Sequence, residues 1–174
     1  MSEPTQADWV NDAVARFEAP LLRFTARLLR DPDAARDVVQ DAFLRLCAQP
    51  RASVDGHLAE WLYTVCRNRA LDLLRKESRM SESPLIHDAP PDGARSREPE
   101  PSAALERRED TGSLRVALAT LPPRTQEVLR LRFQEGLSYK EIAGVMQLTV
   151  SHVGVLIHNG LKSLRARLDA PRLA

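Results

Sequence analysis

Ser138 to Leu168 reads SYKEIAGVMQLTVSHVGVLIHNGLKSLRARL, and this stretch decides the fold of its half of the chain. Ser138 followed by Glu141 has the form of a capping box ahead of an apolar run. A short helix is expected there, with Ile142, Ala143 and Met146 inward. Gln147 and Leu148 interrupt the pattern, and Thr149 can cap a second, longer helix. Val153, Ile157, Leu161, Leu164 and Leu168 repeat at a near-helical period along it. Two helices joined by a tight turn form a helix-turn-helix, whose second helix commonly enters the DNA major groove. Opposite the apolar stripe lie Ser151, His152, Val155, Asn159 and Lys162, with His158 at the edge. Side chains of these polar types hydrogen-bond base edges or phosphates. The same pattern also fits the solvated face of an ordinary helical hairpin, so the rest of the chain must decide.

Working outward, charge separates the 174 residues into three parts. Residues 1–77 hold 11 basic and 12 acidic side chains, residues 78–112 hold 5 and 8, and residues 113–174 hold 9 and 4. The net charge of +1 therefore hides an excess of +5 in the part that carries the helix-turn-helix, as an electrostatic footprint on DNA requires. Residues 78–112 contain Pro84, Pro90, Pro91, Pro99 and Pro101 among Ser, Asp and Glu. Such a stretch is too long for a loop inside a compact domain and reads as a flexible acidic linker, with a helical turn possible at Leu105 to Asp110.

Upstream of the linker, Val10, Val14, Phe17, Leu21, Phe24 and Leu28 make the stripe of one long helix from about Asp8. Pro20 falls inside it, where a kink or break is expected. Asp31-Pro32 ends it and starts a second helix with Ala35, Val38, Val39, Ala42, Phe43 and Leu46 inward. Asp37, Gln40, Asp41 and Arg45 fall on its outer side. A loop after Pro50 leads to a third helix, His57 to about Glu77, with Trp61, Leu62, Val65 and Leu73 as core candidates. Its later turns carry Arg67, Asn68, Arg69, Arg75 and Lys76. The helix dipole accounts for cations at Arg75 and Lys76 but not for Arg67-Asn68-Arg69 further back. Downstream of the linker, Leu114, Ala117, Leu118 and Leu121 suggest one helix, and Val128, Leu129 and Phe133 another, ended by Gly136. The expected fold is all-α: two small helical domains, 1–77 and 113–174, joined by the Pro-rich linker.

Cys47 and Cys66 lack metal-ligand or CxxC spacing and read as reduced thiols. His57, His87, His152 and His158 are scattered, and no glycine-rich phosphate loop is present. No enzyme, cofactor or metal is expected. No apolar run approaches the ~20 residues of a membrane span and no leader opens the chain, so a cytoplasmic protein without membrane insertion is expected.

Three strings carry a resemblance: DAARDVVQDAFLRL (Asp33 to Leu46), WLYTVCRNRALDLLRK (Trp61 to Lys76) and LPPRTQEVLRLRFQEGLSYKEIAGVM (Leu121 to Met146). In this order they resemble the extracytoplasmic-function (ECF) group of sigma-70 family RNA polymerase sigma factors. The resemblance implies a factor that binds core RNA polymerase, through its β′ clamp and β subunits, and directs it to promoter DNA. It places Asp37, Gln40 and Asp41 on the β′ clamp. It assigns the third helix to the −10 element as a single strand, with Asn68 on an unstacked base and Arg67, Arg69, Arg75 and Lys76 along the backbone. It assigns the −35 element to Thr149, Ser151, His152, Val155, His158, Asn159 and Lys162. It also implies an anti-sigma factor as regulator, and a path for the linker through the polymerase's nucleic-acid channels. Trp61 is expected in the core rather than stacked on a base.

This chain departs from the group in its recognition helix. Gly154 and Leu156 stand where two basic residues are frequent, and Asn159 where an arginine is. Two rival functions remain at this point: a sigma-like decoy for an anti-sigma factor, and a simple helix-turn-helix regulator.

Overall fold

The computed structural model describes residues 5–80 and 112–169, and all regular structure among them is helical. They fall into two compact units. The expected linker lies, except at its two ends, outside the described residues, as does the turn expected at Leu105 to Asp110.

In the N-terminal unit, α1 spans Gln6–Leu29. Thr5 caps it: its hydroxyl accepts from the Asp8 amide at 3.2 Å, and the Thr5 amide donates to the Asp8 carboxylate at 3.0 Å. The Thr5 hydroxyl also donates to the Asp8 carboxylate at 2.7 Å, and this bond, ahead of that from the Thr5 amide, holds the Asp8 carboxyl below its ordinary pKa. The helix runs unbroken through Pro20, so the break expected there does not occur. α2 spans Pro32–Cys47, and the Asp31 carboxylate accepts from the amides of Asp33 and Ala34 at 2.9 and 3.1 Å. Its six expected inward residues are all buried. A one-turn helix, α3 (Arg51–Val54), occupies what reads in the sequence as a loop, and it buries Val54. α4 spans Leu58–Met80, three residues beyond the expected end.

α1 packs against both α2 and α4, and α2 against α4. The Phe24 and Tyr63 rings meet edge to face, with centroids 5.2 Å apart. The buried face of α4 differs from expectation. Leu62, Tyr63, Cys66, Arg67 and Ala70 are buried, whereas Trp61, Val65 and Leu73 are half-buried. Trp61 is therefore not a core residue. Cys66 is fully enclosed, and burial pushes its thiol up to about 12; Cys47 is exposed.

In the C-terminal unit, the described part of α5 covers residues 112–119. α6 spans Pro123–Phe133, α7 Tyr139–Met146 and α8 Val150–Leu168. After α6 the chain reverses at Gly136, whose φ of 72° favours glycine. The Leu137 amide donates to the Leu131 carbonyl at 3.0 Å, which satisfies one of the last carbonyls of α6. Leu131 is buried and Phe133 is 61% exposed, reversing the expectation for Phe133.

α8 packs on α6, and its buried residues are Val153, Ile157, Gly160 and Leu164. Leu161 and Leu168, expected inward, are exposed. Gly160 explains the close approach: a Cβ there would stand 2.8 Å from Thr125 Cγ2 and 2.9 Å from Leu129 Cδ1. A side chain there would have to displace Thr125 or Leu129, so glycine suits this close approach.

Candidate nucleic-acid interface

The helix-turn-helix is held by local hydrogen bonds that its sequence dictates. The Ser138 amide donates to the Glu141 carboxylate at 2.7 Å, and the Glu141 amide donates to the Ser138 hydroxyl at 3.2 Å, closing the capping box. α7 ends at Gln147, whose φ of 53° is left-handed. The Leu148 amide then donates to the Ala143 carbonyl at 2.9 Å. Thr149 starts α8 by accepting from the His152 amide at 3.1 Å. The Thr149 oxygen is thus engaged as a cap. Ser151, His152, Val155, His158, Asn159 and Lys162 are all exposed. Their common strip lies opposite the buried residues of α8, as the period requires.

Behind the start of α7, the Arg132 guanidinium lies over the Tyr139 ring at 5.4 Å and donates to the Leu137 carbonyl at 2.9 Å. Gly154 leaves the Tyr139 ring edge uncovered, 3.8 Å from where a Cβ would stand. Neither Tyr139 nor Arg132 stands out in the sequence reading, because the signal is a stacking contact between residues seven apart.

On the N-terminal unit, Asp37 and Gln40 are exposed and Asp41 is half-buried. Asp41 pairs with Arg45 at 3.0 Å, so it offers less free charge than Asp37. Of the five residues expected on α4, Asn68, Arg69, Arg75 and Lys76 are exposed. Arg67 is the correction: it is only 9% exposed and belongs to the packed face of α4. Arg75 pairs with Asp72 at 3.1 Å, an exposed pair. Asp37, Asp41 and Arg69 line one groove of about 280 Å³ between α2 and α4, together with Val38 and Leu73. The acidic strip and the basic strip, separate in the sequence, border the same groove.

Comparison with known proteins agrees with this layout. The profile described as Sigma-70 region 2 matches residues 13–80, and that described as Sigma-70, region 4 matches residues 117–166. The chain is 30% identical over 155 residues to the ECF RNA polymerase sigma factor SigL of Mycobacterium tuberculosis, covering 87% of this chain and 84% of that one. It is 30% identical over 146 residues to the RNA polymerase sigma-H factor of Pseudomonas aeruginosa, covering 80% and 76%. Against the ECF sigma factor SigE of Mycolicibacterium smegmatis it is 29% identical, and the match covers 89% of this chain but 60% of that relative. Among solved structures, the fold is similar to that of the sigma factor RpoE crystallised with the anti-sigma factor NepR from Bartonella quintana. That match has a TM-score of 0.65 and 21% identity, over 93% of this chain and 98% of that one. The chain belongs to the ECF group of sigma-70 family sigma factors and is a transcription initiation factor rather than an enzyme.

Proposed function

We propose that the protein binds core RNA polymerase and gives it promoter specificity. In this reading Asp37, Gln40 and Asp41 on α2 dock on the polymerase clamp, with Asp37 the freest charge. Asn68 hydrogen-bonds an unstacked base of the −10 element, while Arg69, Arg75 and Lys76 follow the strand's phosphates. Arg67, packed inside the domain, is left out of that set. The exposed strip of α8 enters the major groove of the −35 element. The observation that carries the reading is the capped helix-turn-helix with its recognition strip open, in a chain that also holds the region 2 domain.

The two solved sigma factors of similar fold were crystallised with an anti-sigma factor and with the cytosolic domain of CnrY. An anti-sigma partner for this chain is proposed on that ground. Among the described residues no helix is long and apolar enough to cross a membrane. Action in the cytoplasm, where the template is, follows from the proposed function. One observation favours the decoy reading instead: the first three turns of α8 hold no cation.

Binding to purified core polymerase separates the two. The sigma reading expects a stable complex, weakened about ten-fold or more by Asp37→Arg with Asp41→Arg, since opposed charges at an interface are costly. A chain that ignores core polymerase but binds an anti-sigma factor is a decoy.

A further inference from the structure

From Val150 to Leu161 the recognition helix holds no Lys, Arg, Asp or Glu; its first cation is Lys162, followed by Arg165 and Arg167. At the centre of the exposed strip sits Val155, 54% exposed, one turn from Ser151 on one side and from Asn159 on the other. Val155 makes no part of the core: the residues of α8 that pack are Val153, Ile157, Gly160 and Leu164. An apolar side chain held in the middle of a polar strip has its own chemistry to offer a partner.

In the major groove, guanine presents two acceptors that Arg or Lys grips, and this stretch has neither. Thymine presents a methyl group, which suits an apolar side chain, and adenine presents a donor beside an acceptor, which suits an amide. Exposed cations stand at the C-terminal margin of the strip, Lys162 and Arg165. Marginal cations position a protein on phosphates, while the neutral centre is left to specify bases. We propose that α8 reads A·T pairs, with Val155 against a thymine methyl and Asn159 on an adenine edge. This rests on the reading of the C-terminal domain as a promoter-binding module. Four residues of helix span about 6 Å, so the two bases lie one or two pairs apart at about 3.4 Å per step.

The test uses the full chain assembled with core polymerase. A promoter duplex is selected from random upstream sequence, and its bases are then altered atom by atom. Deoxyuridine in place of thymidine removes only the methyl group, and 7-deazaadenine removes only the N7 acceptor. Wild-type holoenzyme is expected to lose about four-fold in affinity at one deoxyuridine, the worth of one buried methyl. It is expected to lose about five-fold at a 7-deazaadenine within two base pairs. Val155→Ala should abolish the first sensitivity and Asn159→Ala the second. Guanine at the contacted positions, indifference to the missing methyl, or unchanged sensitivity in Val155→Ala would overturn the assignment. A holoenzyme that selects no upstream sequence would overturn the promoter-binding reading of this domain as well, and so is distinguishable.

Discussion

α4 and α8, helices of 23 and 19 residues, both offer an exposed polar strip to nucleic acid in the proposed function, and they distribute charge in opposite ways. In α4, Asn68 is flanked in sequence by Arg67 and Arg69, with Arg75 and Lys76 beyond; one arginine turns inward and the others face out. In α8 the charge is pushed to the last two turns, and twelve uncharged residues come first. A single strand has no groove to hold it, so a helix that follows one must carry its cations beside its base contact. A duplex offers phosphates at the groove edges, so cations can stand at the ends of a helix whose centre reads bases. The contrast teaches that net charge alone misses the division of labour: the N-terminal part is net −1 and yet carries a cation directly beside Asn68.

The largest expected effect comes from reversing charge on α4. Arg69→Glu with Lys76→Glu should lower open-complex formation by on the order of 100-fold at physiological salt, because two phosphate contacts become repulsive. The slope of binding against salt should fall by about two. Promoter opening that ignores these changes would mean that α4 is a plain solvated face and the contrast is void.

Next, Gly160→Val places methyl groups where Thr125 and Leu129 already stand. It should destabilise the C-terminal domain by about 1–3 kcal/mol. Denaturant unfolding should show the loss, and −35 binding should weaken while core binding through α2 persists.

The two domains also differ in alkali. Cys66 is buried in the N-terminal domain with its thiol raised to about 12, and residues 113–174 contain no cysteine. A raised pKa means that the fold favours the neutral thiol. That contribution is therefore intact below the unfolded value near 9 and is lost as pH rises from there towards 12. N-terminal domain stability should fall by at most about 1.4 kcal/mol per pH unit over that window. A Cys66→Ala variant should lack this slope, and native protein should react with a thiol reagent at Cys47 alone.

The smallest effect tests α8 directly. Gly154 has room for a side chain, with only Tyr139 in ordinary contact. Gly154→Arg should stabilise the helix by up to about 1 kcal/mol. It should also raise affinity for random duplex and steepen its salt dependence by about one. If discrimination between promoter and random DNA improved instead, the neutral centre would not be the source of specificity.

Local signals were the most legible. Asp31, Ser138 with Glu141, and Thr149 cap their helices as read, because a cap depends on three or four neighbouring residues. The inner face of α2 was legible in full, since six apolar residues at helical spacing leave no competing face. α4 was misread because its largest side chain, Trp61, drew the apolar face towards it; packing against α1 and α2 selects Tyr63, Cys66 and Ala70 instead. Leu161, Leu168 and Phe133 show that apolar spacing does not ensure a partner. The close contact of α6 and α8 rests on Gly160 and Thr125, small residues that a hydrophobic pattern passes over. Most of the candidate site was legible as outward positions, but the inward turn of Arg67 and the shared groove of Asp37, Asp41 and Arg69 were not, since both depend on how α4 packs.

The central claim is that this chain directs RNA polymerase to promoters and that Asn68 reads the opened strand. Run-off transcription with purified core polymerase, on a pool of the host's own promoter DNA, tests it most directly. The account predicts discrete transcripts with the wild-type chain and their disappearance with Asn68→Ala, while that variant still binds core polymerase. A wild-type chain that fails to bind core polymerase, or transcripts that persist unchanged in Asn68→Ala, would contradict it.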